Sequence, residues 1–146
     1  MRYTILFSIL LFVFFTGCKK NNAGSAPTLK FKNVNSTEFQ SGDILVFTLS
    51  FDGGSTNGTD TVYVEEDVPN CPASSFNESY GLPSYPVTKG QKGEITVTFG
   101  YNSNSSYQNI SPQCQENDTA VFRFALKDNA QHTSDTVSSP KVILYY

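Results

Sequence analysis

The sequence predicts an all-β fold: an immunoglobulin-like antiparallel β-sandwich of about seven strands, preceded by a cleaved N-terminal signal. Three observations carry this reading. Apolar and polar residues alternate with period two through three long segments. Clusters of Gly, Asn, Asp and Ser separate those segments, supplying the positive-φ positions that tight turns need. No segment beyond the N-terminal apolar run carries a helical period of apolar positions.

The chain opens with Met1-Arg2-Tyr3, an apolar run from Ile5 to Phe15, and then Thr16-Gly17-Cys18. One positive charge, an apolar run of about 7–15 residues and a small residue before a cleavage point are the parts of a secretory signal. The run falls short of the roughly 20 apolar residues that a membrane-spanning helix needs. Phe14-Phe15-Thr16-Gly17-Cys18 resembles a bacterial lipobox, with Phe15 where an aliphatic residue is usual. The resemblance implies diacylglyceryl transfer to the Cys18 thiol, removal of residues 1–17 and acylation of the new amine. Residues 18–27 then read as a flexible tether, because Lys19-Lys20-Asn21-Asn22-Ala23-Gly24-Ser25-Ala26-Pro27 buries too little to order itself.

Residues 28–146 form the expected domain. In Asp43 to Asp52, the residues Leu45, Phe47, Leu49 and Phe51 share one face. In Gly93 to Tyr101 the face is Ile95, Val97, Phe99 and Tyr101; in Thr119 to Lys127 it is Ala120, Phe122, Phe124 and Leu126. Shorter strands are expected at 28–34, 60–66, 134–137 and 141–146. Ser41-Gly42-Asp43, Asp52 to Gly58, Lys89 to Gly93 and Asp128 to His132 read as turns. The stretch from Asp67 to Lys92 contains Pro69, Pro72, Pro83 and Pro86 and reads as a long irregular connection, since Pro removes backbone donors. Asn102 to Asn117 reads as a second irregular stretch.

Each of those two stretches carries one cysteine. With Cys18 assigned to lipid, Cys71 and Cys114 remain as an even pair in an exported, oxidising compartment, and a Cys71–Cys114 disulfide is expected.

Phe122 to Ser134 resembles the penultimate strand and following turn of bacterial immunoglobulin-like modules, with Gln131 where Gly is usual and His132 where Asn is usual. The domain as a whole, with Gly42-Asp43-Ile44-Leu45-Val46-Phe47-Thr48-Leu49-Ser50-Phe51-Asp52, resembles small uncharacterised lipoproteins of Bacteroidota. That resemblance implies a fold and an address, with no activity attached.

Catalytic and metal-binding constellations are sparse. His132 is the single histidine and falls in a polar turn without a nucleophile elbow elsewhere. Glu65 and Glu66 are adjacent on a strand, so they point to opposite faces and cannot share a site; the run Glu65-Glu66-Asp67 reads as solvated strand-end charge. Asp52, Asp60 and Asp128 sit at turns but lack the spacing of a calcium loop. No metal and no cofactor is expected. Tyr80 and Tyr85, in the Pro-rich connection, read as ligand contacts, with Tyr101, Tyr107, Tyr145 and Tyr146 as further exposed aromatics. Asp60-Thr61-Val62, Asp118-Thr119-Ala120 and Asp135-Thr136-Val137 resemble the O-glycosylation signal of Bacteroidota, which implies sugar at Thr61, Thr119 or Thr136.

The net charge of −3 is mild and scattered, and with no basic patch nucleic acid is not an expected partner. The expected function is a non-catalytic binding or interaction module, held to the membrane by acylated Cys18 and meeting an envelope protein or glycan. The alternatives are a structural accessory subunit of an outer-membrane complex and an envelope hydrolase. Lys19-Lys20-Asn21-Asn22 lacks the acidic residues that often follow the lipidated Cys in Bacteroidota surface lipoproteins, so the resemblance implies an outer-membrane lipoprotein facing the periplasm.

Overall fold

A computed structural model of the protein describes residues 26–54, 60–83 and 92–146. The signal segment, Cys18, the tether up to residue 25, the tip of the 52–58 turn and Tyr85 lie outside the described residues. Among the described residues, ten strands form two packed sheets: β1 (Thr28–Val34), β2 (Glu38–Phe39), β3 (Ile44–Asp52), β4 (Thr61–Asp67), β5 (Phe76–Gly81), β6 (Lys92–Tyr101), β7 (Asn109–Ile110), β8 (Asp118–Lys127), β9 (Val137–Ser138) and β10 (Val142–Leu144). One sheet has the order β1-β3-β6-β7. The other runs β2-β10-β8-β4-β5, with β9 beside β8.

The all-β sandwich is therefore as expected, with three differences. The strand number rises because β2, β7 and β9, at two residues each, are too short to show a period. The β10–β2 and β6–β7 pairs are parallel, so the sheets are not wholly antiparallel. The connection after Asp67 is also not irregular throughout: Pro72–Ser74 form a 3₁₀ turn, and β5 pairs along β4 from Glu66↔Phe76 to Thr61↔Gly81. The prolines flank β5 and cost it no ladder bond.

The period-two faces meet between the sheets. Leu45, Phe47, Leu49 and Phe51 of β3 are buried, as are Ile95, Phe99 and Tyr101 of β6 and Ala120, Phe122, Phe124 and Leu126 of β8. Phe47 joins the layers, its ring 4.6 Å from that of Phe122 and 5.3 Å from that of Phe124 by centroids. Such rings bury large apolar areas and lock the two sheets in register. At the β3–β6 pair, Phe51 lies opposite Gly93. A Cβ at position 93 would stand 2.6 Å from Phe51 Cε1, so glycine is what lets that ring lie across the strand.

The edge of β8 beyond β9 is completed by side chains. Ser134 and Ser139 Oγ accept from the backbone N–H of Leu126 and Phe122 at 2.9 and 3.0 Å. This explains why the strand expected at 134–137 shrinks to Val137–Ser138: the two buried serines flank it and complete the ladder. In the preceding turn, Gln131 takes φ 69°, the left-handed conformation a glycine would hold there. Its N–H donates to Asp128 O at 2.9 Å, and His132 N donates to Asp128 Oδ1 at 2.8 Å. His132 is a turn residue, as expected.

Candidate functional site

Strand directions sort the connections to two ends of the sandwich. Because β1 and β3, β3 and β6, β4 and β8, and β8 and β10 are antiparallel, Thr28, Asp52, Thr61, Lys92 and Lys127 share one end. Val34, Ile44, Asp67, Tyr101, Asp118 and Leu144 share the other. The chain enters at the first end. Pro27 is already buried there, so the domain begins one residue before the expected tether boundary.

The far end is built from the segments 68–75 and 102–117, and the disulfide Cys71–Cys114 joins them across a Cα–Cα distance of 6.1 Å. Hydrogen bonds add to the brace. Asn70 Nδ2 donates to Asn117 O at 3.0 Å, Thr119 N donates to Asn70 Oδ1 at 3.1 Å, and Gln113 N donates to Ser74 Oγ at 2.9 Å. Eleven of the sixteen residues from Asn102 to Asn117 are Asn, Ser or Gln, and the one charge is Glu116. Asn and Ser supply adaptable hydrogen bonding, and tyrosine supplies contact area with few rotatable bonds. Tyr107 is 51% exposed and Tyr146 70% exposed, both at this end. Tyr146 N donates to Asn117 Oδ1 at 3.0 Å, which ties the last residue to the loop. The braced loop pair with its two exposed tyrosines is the candidate recognition surface.

The other expected site residues fall elsewhere. Tyr80 is not a loop aromatic: it lies in β5, half-buried, with its ring 6.3 Å from that of Phe99 and its hydroxyl bonded to Gln108. It closes the side of the core from an edge strand. Tyr101 is also not exposed. It is fully buried, donates to Tyr145 O at 2.6 Å, and is pushed up to about 12 by burial, then by Asp118 and Glu66. Of the three glycosylation-like triplets, Asp60 and Asp118 are buried and Thr61 and Thr119 are half-buried, while both Asp135 and Thr136 are exposed. Asp52 turns outward to Lys92, 2.7 Å away, whereas Asp60 and Asp128 are buried next to Gly54. Asn129 N donates to Asp60 Oδ1 at 3.2 Å, so these carboxylates organise the turns at the chain-entry end.

Glu65 and Glu66 do point to opposite faces, but Glu66 is not solvated. It lies in phase with Val62 and Val64 and is 2% exposed. Burial, and secondarily Asp118, pushes its carboxyl up to about 8. Asp118 is in phase with Ala120 and Phe122, 0% exposed, and neither of its carboxylate oxygens has a hydrogen-bond partner. Such unpaired buried groups are rare. Two sealed carboxyls meet no substrate from solvent, so the pair acts on stability and not on chemistry. The signal was in the strand period itself, which puts residue 66 and residue 118 inward whatever their polarity.

No family model matches the chain, and no curated protein matches it. Among solved structures it is similar to part of Spo0M, the sporulation control protein of Bacillus subtilis, at 9% identity and a TM-score of 0.45, covering 84% of this chain and 50% of that one. It is also similar to part of a β-glucosidase from Listeria innocua, at 14% identity and a TM-score of 0.45, covering 82% of this chain and 16% of that one. The chain thus spans half or less of these proteins. Similarity this distant leaves their activities with them. The surface itself is braced, amide-rich and hydroxyl-rich, with two tyrosines and the single charge of Glu116 in its 102–117 segment, and is suited to contact.

Proposed function

We propose that this chain is a lipid-anchored binding module of the bacterial cell envelope, without catalytic activity of its own. The observation that supports it most is the separation of the two ends. The chain enters the sandwich at one end, and the disulfide-braced loop pair with Tyr107 and Tyr146 lies at the other. A domain tethered through acylated Cys18 would present that surface away from the bilayer, to an envelope protein or glycan. Loops held by a rigid sandwich are the usual place for such contacts. The lipobox resemblance implies the anchor, and Lys19-Lys20-Asn21-Asn22, without the acidic residues of Bacteroidota surface lipoproteins, supports an outer-membrane address facing the periplasm.

The anchor is tested by mass. The protein from the native membrane is expected to begin at Cys18 and to carry acyl chains, each buried CH₂ adding about 0.8 kcal/mol of membrane affinity. Cys18→Ser removes the thiol that receives the diacylglyceryl group, so the variant is expected to accumulate as unprocessed precursor. A mature chain starting elsewhere, or one without acyl mass, defeats the anchor.

A further inference from the structure

The outward face of the sheet containing β4 and β8 is ordered differently from the rest of the surface. Two rows of side chains cross it. In the first, Ser79, Tyr63 and Ala125 are cross-strand partners, and Thr136, one residue before the partner of Phe124, continues the row. In the second, Asn77, Glu65, Arg123 and Ser138 are partners in turn. The small Ala125 side chain leaves a dip of about 140 Å³ between Tyr63, Glu65, Asn77, Arg123 and Thr136.

The walls of this dip are set before anything enters it. Arg123 Nη1 lies 3.1 Å from Glu65 Oε1, and Nη2 lies 2.7 Å from Asp67 Oδ2. The planar fork is thereby fixed between two carboxylates, and the side-chain ordering a ligand would otherwise impose is already in place. On the other side stands Tyr63, 37% exposed, which offers an aromatic face. The chemistry of these walls selects. An apolar ligand would cover the paired charges and leave their remaining donor and acceptor sites, and the Asn77 amide, without a partner. An anion would face both Glu65 and Asp67. A neutral ring with adjacent hydroxyls satisfies both walls: its C–H face lies on Tyr63, and its hydroxyls exchange hydrogen bonds with Glu65, Arg123 and Asn77.

From this juxtaposition we infer that the outer sheet face binds one ring of a neutral, hydroxyl-rich sugar, with Tyr63 as the platform and the Glu65–Arg123 pair and Asn77 as the hydrogen-bonding wall. The site is separate from the braced loops and does not depend on them.

Saturation-transfer NMR on the full chain in detergent tests it, with methyl glycosides of neutral hexoses and one uronic acid as probes. Ring-proton saturation is expected for at least one neutral hexoside, with affinity in the millimolar range. Ala125→Leu fills the dip without touching a charge and is expected to weaken binding at least tenfold at unchanged melting temperature. Tyr63→Ala is expected to do the same, and Lys30→Ala, on the outer face of the opposite sheet, to leave it unchanged. Failure of every neutral hexoside to bind overturns the inference, as does binding that survives both Ala125→Leu and Tyr63→Ala. Tighter binding of the uronic acid than of its neutral counterpart overturns the ligand class. Loss of binding in Lys30→Ala as well shows that the contact is not confined to this face and overturns the site.

Discussion

Stability is expected to fall as pH rises from about 4.5 to about 8, and Glu66→Gln is expected to abolish most of that slope. Glu66 holds its proton up to about 8 in the folded chain, against 4.5 as its ordinary value. Below about 4.5 the folded and unfolded states both carry the proton, and the stability linked to this group is fully present. Above it the unfolded state ionises and the folded state does not, so stability is lost at about 1.4 kcal/mol per pH unit until the folded carboxyl itself titrates. The total is about 5 kcal/mol, a large part of the ordinary margin of a domain. Asp118 from β8 disfavours a negative charge at Glu66, whereas Tyr101 from β6, pushed up to about 12, stays neutral across this range. Glutamine keeps the shape and removes the charge. Urea unfolding from pH 4.5 to 9 is expected to give parallel values at the acid end and a variant more stable by about 2–4 kcal/mol at the alkaline end. Equal slopes for the two proteins would show that Glu66 ionises in the fold without penalty.

Loss of the disulfide is the second large effect. Cys71 and Cys114 are 43 residues apart, and closing a loop of that size lowers the entropy of the unfolded chain by an amount equivalent to about 4 kcal/mol. Strain and residual structure in the unfolded state reduce that figure. The double variant Cys71→Ser/Cys114→Ser is expected to lose about 3–4 kcal/mol, or roughly 10–20 °C of melting temperature. It is also expected to loosen the 102–117 segment before the sandwich, because β3, β6 and β8 hold one another without that loop. Hydrogen exchange separates the two: faster exchange confined to 102–117 fits the brace, and uniform acceleration over β3 and β8 would show that the bond, whose Cys71 is buried in the core, holds the whole sandwich.

The alternation that makes a half-buried strand was legible where the strand was long. β3, β6 and β8 were placed to within a residue or two because their inward residues are Leu, Ile, Phe and Ala in strict phase. β5 was not, because Phe76-Asn77-Glu78-Ser79-Tyr80-Gly81 is a polar edge strand between prolines, with apolar residues only at its first and fifth positions. Glu66 was misread for the opposite reason. Its phase pointed inward, but residue type argued for solvent, and the phase won. The disulfide was legible from the expected compartment and the even count that remains once Cys18 is set aside. The recognition surface was not read as one, since a period-based reading sees Asn102 to Asn117 only as a gap between strands. Its composition, dense in Ser, Asn and Gln with one tyrosine and one charge, was the available signal.

The central claim is that contacts are made at the end of the sandwich opposite the chain entry. Site-specific photo-crosslinking in the native envelope tests it directly, with a photoreactive residue placed at position 107, at 146, or at the exposed turn position Ala130 by the entry end. Discrete adducts from 107 and 146, with none from 130, are the expected result. Adducts from 130 and none from 107 or 146 would contradict the account.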